Sequence, residues 1–364
     1  MSTSLDVRQM VRDLERLVTC ESPSHDVKAT MRCADVLTEI AWRITGRRPE
    51  VVSRQDRPHL LWRFGGRTTV LLVGHLDTVW PLGTLDRWPF EVDGDLATGP
   101  GSFDMKAGLV QALHAVSTLT DLDGVTLLVT TDEELGSPTS RDWIEEQARG
   151  ARAAFVLEAS ADGALKVQRK GVSLYEVIVG GRAAHAGLEP HKGVNAAVEL
   201  AHQILAVQAF ERDGTTVTPT VLSGGTTTNT VPAHAGFTVD VRAETVAEQA
   251  RVDAAFAALR AHLPGASVEV KGGPNRPPLE SSSSAELFAR AVRLARQLGL
   301  PELRGVAVGG GSDGNFTAGV GVPTLDGMGA VGDHAHAEGE YIVISAMAER
   351  AALLAALIDD VRAG

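Results

Sequence analysis

The chain has 364 residues, too many for one ordinary hydrophobic core, so two domains are expected. Lys and Arg number 34 against 46 Asp and Glu, a formal charge of −12 with no basic block, which argues against nucleic acid or an anionic membrane as partner. No stretch approaches the ~20 apolar residues of a membrane helix. Met1-Ser2-Thr3-Ser4 lacks the basic-then-apolar order of a signal peptide. Two cysteines, Cys20 and Cys33, are too few for a disulfide framework, so unpaired thiols in a cytoplasmic protein are expected.

Apolar residues Val7, Met10, Val11, Leu14, Leu17 and Val18 recur at helical spacing, and Thr19 to Ser24 breaks that helix. A second helix is expected over residues 26–43. The all-apolar run Val70-Leu71-Leu72-Val73 reads as a strand covered on both faces, as do residues 125–130 and 153–157. An Ala/Leu-rich helical stretch, 105–119, lies between the first two. This alternation predicts an α/β domain whose chemistry sits at the carboxyl ends of its strands.

From about Gly171 the pattern changes. Residues 173–179 alternate imperfectly and end in Gly180-Gly181, like the edge of a sheet. A helix over 195–207, strands over 216–223 and 236–242, a helix over 246–263 and a strand over 266–271 follow. The order β-α-β-β-α-β predicts a ferredoxin-like α+β sandwich, residues 172–274, inserted into an outer domain of residues 1–171 and 275–364. Ser283-Ser284-Ala285-Glu286 fits a capping box for a helix running to Gln297. Strands over 306–311 and 324–329 and a helix over 341–361 would complete the outer domain.

Five scattered side chains sit at the end of an apolar run or in a Gly-rich bend: His75, Asp104, Glu134, Glu158 and His336, the last with His334 as a close competitor. Two imidazoles and three carboxylates suit two divalent cations sharing one carboxylate. Asp77, two residues beyond His75, can accept the second imidazole N–H and fix its tautomer. Asp104 follows a Gly-rich bend and opens a helix, where it could serve as an N-cap or bridge two cations ~3.5–4 Å apart. Asp132-Glu133-Glu134 packs three carboxylates together, which is unfavourable unless cations neutralise them. Glu133 is then left over as a base for water. The pattern points to a two-metal hydrolase.

The segments Gly74-His75-Leu76-Asp77-Thr78-Val79, Gly101-Ser102-Phe103-Asp104-Met105-Lys106-Ala107-Gly108, Thr131-Asp132-Glu133-Glu134-Leu135-Gly136-Ser137 and Val156-Leu157-Glu158 fall in one order. Ala184-His185-Ala186-Gly187, Asn229-Thr230-Val231-Pro232, Asp240-Val241-Arg242, Gly309-Gly310-Gly311-Ser312-Asp313 and His336-Ala337-Glu338-Gly339-Glu340-Tyr341 continue it. Together they resemble the M20 metallopeptidase family, and within it the glutamate carboxypeptidase and acetylornithine deacetylase/succinyl-diaminopimelate desuccinylase group. Ala107 stands where many members carry Gly.

The resemblance implies a phosphorylase/hydrolase-like zinc exopeptidase domain with a central mixed sheet, and an inserted lid and dimerisation domain. It implies two zinc ions, replaceable by cobalt or manganese, bridged by Asp104. His75 and Glu158 would hold one, and Glu134 and His336 the other. His336 is preferred over His334 because Glu340-Tyr341 follows it as in the family. Glu133 would be the general acid/base and Asp77 would orient His75. His185 would stabilise the oxyanion, and Asn229, Arg242, Gly310 and Ser312 would hold the substrate. The expected activity is hydrolysis of N-acyl amino acids or small peptides with a free α-carboxylate, glutamate-carboxypeptidase-like, by a homodimer. N-acyl-amino-acid deacylation, biosynthetic amide formation or acyl transfer, and a non-catalytic metal-binding dimer are the alternatives.

Overall fold

The computed structural model describes residues 5–364; the Met1-Ser2-Thr3-Ser4 segment lies outside the described residues. The chain forms two compact units. One comprises the residues up to Gln168 with Leu279–Val308 and Ser312–Gly364; the other comprises Arg169–Pro278 with Gly309–Gly311.

The first unit is built on a six-stranded mixed sheet in the order Glu50–Arg54, Arg57–Arg63, Val125–Thr130, Val70–His75, Ala153–Val156, Thr324–Leu325. The last four are mutually parallel, and the first two join as an antiparallel hairpin. The three central strands are wholly buried because alternate residues serve opposite cores. Val70, Leu72, Leu127, Val129 and Phe155 pack with the helices Val7–Val18, Val27–Thr45, Ala107–Thr118 and Ile344–Ala363. Leu71, Val73, Leu128 and Ala154 face Trp143, Ile144 and Phe316. Asp6 and Asp26 cap the first two helices by accepting from Gln9 N and Ala29 N.

Two glycines allow close packing around one strand end. A Cβ on Gly108 would lie 2.1 Å from Leu157 O, and one on Gly329 would lie 2.2 Å from the same atom. The chain bearing Glu158 is thereby gripped from two directions.

The second unit carries a four-stranded antiparallel sheet in the order Thr216–Gly224, His234–Ala243, Gly171–Gly180, Ser267–Arg276. With the helices Ala196–Gln208 and Val246–Ala257 its connectivity is β-α-β-β-α-β. Tyr175, Val177, Val179, Phe237, Val239 and Val241 form its core with Val252 and Phe256 of one helix. Tyr175 stacks on Phe256 with ring centroids 3.8 Å apart.

Several local expectations are corrected. Gly171–Gly180 is a central strand, paired on both sides. Its alternation looked irregular because Leu174 projects from the face opposite the helices and is 52% exposed. The helix expected over 246–263 ends at Ala257, and Glu199 then draws the chain aside by accepting from His262 N and Leu263 N. No capping box forms at Ser283: the helix begins at Ser281, and the Ser284 hydroxyl donates to Val167 O and Ser281 O. Tyr341–Val343 is a short strand against Leu96–Thr98, so the last helix starts at Ile344. Gly305–Val308 pairs with Leu165–Arg169 outside the main sheet.

Candidate metal centre

The carboxyl ends of the three central strands deliver His75, the Asp132 to Glu134 turn and Glu158 to one edge of the sheet. Asp104 arrives from the turn Ser102–Lys106, which precedes the helix Ala107–Thr118 and has non-helical backbone angles at Asp104 and Met105. It is therefore not the N-cap of that helix. His336 comes from the loop after the short strand Gly332–Asp333.

These side chains converge. His75 Nε2 lies 3.3 Å from Asp104 Oδ1 and 3.4 Å from a Glu158 oxygen. His336 Nε2 lies 3.2 Å from Asp104 Oδ2 and 3.0 Å from Glu134 Oε1. Candidate ligand atoms fall into the groups His75/Asp104/Glu158 and Asp104/Glu134/His336, each with its atoms within 4.8 Å of one another. A third group, His75/Glu133/Glu134, brings the proposed base within the same reach. His334 is in none of them; its ring packs edge-on against Tyr341 at 5.8 Å.

The groups fit a cation on three counts. His75 Nε2 and Asp104 Oδ1 are buried without a hydrogen-bond partner despite their proximity, an arrangement that costs energy unless a further group satisfies both atoms. The donors are imidazole nitrogens and carboxylate oxygens, a usual set for zinc or a similar divalent ion. The charges also point to a strongly negative pocket. Asp104 and Glu134 push His336 up to about 11. Burial opposes a charge on His75, yet Asp104, Asp77 and Glu158 raise it well above the usual imidazole value. Burial likewise opposes a charge on Asp104, but His336 and His75 hold it below the usual carboxylate range. Burial raises Glu134, and the neighbouring Asp104 charge adds to the rise. A pocket whose carboxylates favour positive charge on both imidazoles is one that also favours metal cations.

Asp77 faces His75 through two groups. His75 Nδ1 lies 3.0 Å from the Asp77 backbone oxygen and 3.6 Å from its carboxylate. The strand ends at His75, so Asp77 no longer follows its alternation. Its buried carboxylate accepts from Ser24 Oγ at 2.6 Å, Glu133 N at 3.3 Å and Glu134 N at 3.2 Å. It thus braces the Glu133-Glu134 turn as well as facing His75. Asp132 helps from the other side, accepting from Thr139 N, Thr139 Oγ1 and Ser140 Oγ.

Sequence reading passed over two supports, Ser24 and Glu340. Glu340 is fully buried and accepts from Gly101 N, Phe103 N, Asp104 N and Trp80 Nε1. Burial pushes its carboxyl up to about 7, against the pull of these donors. Its place four residues after His336 was the available signal. A cleft of about 770 Å³, lined in part by Ser24, Val27, Val79, Leu82 and Leu135, opens beside Glu134.

The remaining expected site residues divide between the units. Ser312, in the first, is fully buried, donates to Asp326 Oδ2 at 2.6 Å and accepts from Gly314 N. It braces its loop and does not line a pocket as expected. In the second unit, His185 pairs with Thr230, which places it beside Asn229, whose carbonyl accepts from Ala186 N. His185 Nδ1 accepts from Gly187 N and Leu188 N, leaving the ring proton on Nε2. Arg242 forms a two-point pair with Asp240, through Nε at 2.7 Å and a terminal nitrogen at 2.8 Å. The Gly310 carbonyl accepts from Arg169.

Residues 71–360 match the model of peptidase family M20/M25/M40. Carboxypeptidase G2 from a Pseudomonas species is 31% identical over 381 residues, covering 98% of this chain and 90% of the relative. A succinyl-diaminopimelate desuccinylase from Roseobacter denitrificans is 26% identical, covering 79% of this chain and 81% of its own. Among solved structures, an M20 family metallo-carboxypeptidase from Sulfolobus solfataricus superposes with a TM-score of 0.75 at 17% identity, covering 96% of this chain and 98% of that one. No helix among the described residues is long and apolar enough to cross a membrane. The chain belongs to peptidase family M20/M25/M40 and is a metal-dependent hydrolase acting on peptide or amide bonds.

Proposed function

We propose that the chain is a dizinc amidohydrolase that cleaves N-acyl amino acids or small peptides with a free α-carboxylate, in the manner of a glutamate carboxypeptidase. One observation carries the two-metal reading: Asp104 turns Oδ1 toward His75 and Oδ2 toward His336, so one carboxylate serves two ligand groups. His75 and Glu158 would complete one site, and Glu134 and His336 the other. When bound, the ions supply Lewis acidity to the amide carbonyl and to the attacking water.

The rest is work for the chain's own side chains. Glu133, held by its backbone N–H on Asp77, takes the proton from the attacking water and returns it to the departing amine. His185, protonated on Nε2, donates to the oxygen on which charge develops. Arg242, kept in orientation by Asp240, and Asn229 hold the substrate carboxylate, since a guanidinium fork pairs with carboxylates through two hydrogen bonds. The cleft beside Glu134 has room for one side of a small peptide.

The second unit would serve as lid and dimerisation domain, and the two free cysteines agree with a cytoplasmic protein. Similarity to carboxypeptidase G2 over almost the whole chain favours carboxypeptidase action; similarity to the desuccinylase keeps N-acyl-amino-acid deacylation as the second reading. The deciding experiment is a screen of zinc-loaded protein against N-acyl amino acids and C-terminal dipeptides, scored by released amine. Release from neither class, with two zinc ions bound, would overturn the proposed function.

A further inference from the structure

We propose that Glu340 is a positioning residue of the metal centre, whose buried carboxylate ties the Asp104 turn to the segment bearing His336 and so sets their separation. The inference rests on the reading that Asp104 and His336 hold metal. The carboxylate makes four hydrogen bonds with both oxygens engaged. Oε1 accepts from Phe103 N at 2.7 Å and Asp104 N at 2.8 Å. Oε2 accepts from Gly101 N at 3.0 Å and Trp80 Nε1 at 3.0 Å. The backbone adds a further link, Gly99 N donating to Glu340 O at 3.3 Å.

Three segments that bear proposed ligands meet at this one side chain. The Asp104 turn is a single π-type turn, closed by Lys106 N on Gly101 O and Ala107 N on Ser102 O, and its backbone leaves helical angles at Asp104 and Met105. Gly101 is left-handed at φ 73°, and Asp104 lies at φ −114°, ψ 95°. Its converging N–H groups need an acceptor, and Glu340 provides one from 236 residues away. Trp80 lies five residues past His75. His336 stands four residues before Glu340, and between them the chain turns through bonds from Ala337 N to His334 O and Glu340 N to Ala337 O. Displacing the Glu340 carboxylate therefore alters the distance from Asp104 Oδ2 to His336 Nε2, now 3.2 Å. Groups that orient metal ligands in this way are commonly worth about 10–100-fold in metal affinity.

The test is zinc titration of the metal-stripped, full-length protein against a competing chelator, with circular dichroism and thermal melting of each metal-free sample. Glu340→Gln keeps the side-chain size, but its amide nitrogen faces one pair of N–H donors whichever way it turns. Affinity for the more weakly held zinc should fall at least about tenfold, with the metal-free spectrum unchanged. Trp80→Phe removes one donor and should lower that affinity by about two- to tenfold. Glu340→Gln binding zinc within twofold of wild type overturns the proposal. If Glu340→Gln does not fold, a folded Trp80→Phe protein with unchanged affinity overturns it as well. Wild-type protein that binds no zinc would sink the metal reading, and this proposal with it. Two zinc ions bound equally by wild type and Glu340→Gln would sink this proposal alone.

Discussion

His336 Nε2 and Glu134 Oε1 lie 3.0 Å apart across 202 residues of sequence. Two loops that share no secondary structure are thus brought to one point, and Asp104 Oδ2 completes the group. The neighbouring His334 turns toward Tyr341 instead.

The first prediction follows from that difference. If the proposed pair of metals is bound, His336→Ala should lose close to one metal equivalent per chain, because it removes a proposed ligand from a three-residue group. His334→Ala should retain both. Metal analysis after dialysis against buffered zinc reads the result, and greater loss in His334→Ala would reverse the assignment.

Glu133 presents a sharper choice, since its carboxylate lies within the 4.8 Å group formed with His75 and Glu134. As the proposed base, it should be needed for turnover and dispensable for metal. Glu133→Gln is expected to lower kcat by about 10²–10⁴-fold with zinc content near that of wild type. Loss of a zinc ion from this variant would make Glu133 a ligand and leave the proton transfer without an assigned group.

The legible part of the molecule was the part governed by local pattern. All-buried parallel strands appear as unbroken apolar runs, so the sheet edge carrying His75, Glu133 and Glu158 could be read from Val70 to Val73, Val125 to Thr130 and Ala153 to Val156. Contacts made by chain geometry were hidden. Asp77 supplies its backbone oxygen to His75 because the strand has already ended, and no alternation rule foresees that. Ser312 looked like a pocket residue in a glycine-rich loop, yet its partner Asp326 is fourteen positions away and draws it inward. The capping box at Ser283 failed because a local motif was outweighed by a tertiary bond from Ser284 to Val167.

Stability should depend on pH through Asp13, whose side chain is almost fully buried and accepts from Arg43, His114 and Gln9. Burial works to raise its pKa, but the bonds from His114 and Arg43 outweigh it and the net shift is downward. A carboxyl whose folded pKa lies below its unfolded value contributes stability that is present above the unfolded value, near 3.8. That stability is lost as pH falls through the folded value. Asp13→Asn should therefore cost about 2–3 kcal/mol at neutral pH and progressively less below pH ~4. Urea melts of both proteins at neutral pH and at pH ~3 measure the difference. A cost independent of pH would mean that packing of the Val7–Val18 helix, and not the Asp13 charge, holds this corner together.

Arg242 and Asp240 share one face of the strand His234–Ala243, and the pair fixes the guanidinium through two of its nitrogens. Enough donors remain for a carboxylate, which is the arrangement expected of a substrate anchor. Arg242→Ala should raise KM for substrates with a free α-carboxylate by about 10–100-fold, with kcat changed far less, because a contact made equally in ground and transition states affects binding. Asp240→Asn keeps the cation but loosens its orientation, so it should raise KM in the same direction by a smaller factor. The matching substrate amide, lacking the carboxylate charge, supplies the internal control: wild type and Arg242→Ala should treat it alike. A KM for carboxylate substrates that is unchanged in Arg242→Ala removes the anchoring role and leaves Arg242 as the partner of Asp240 within its own strand.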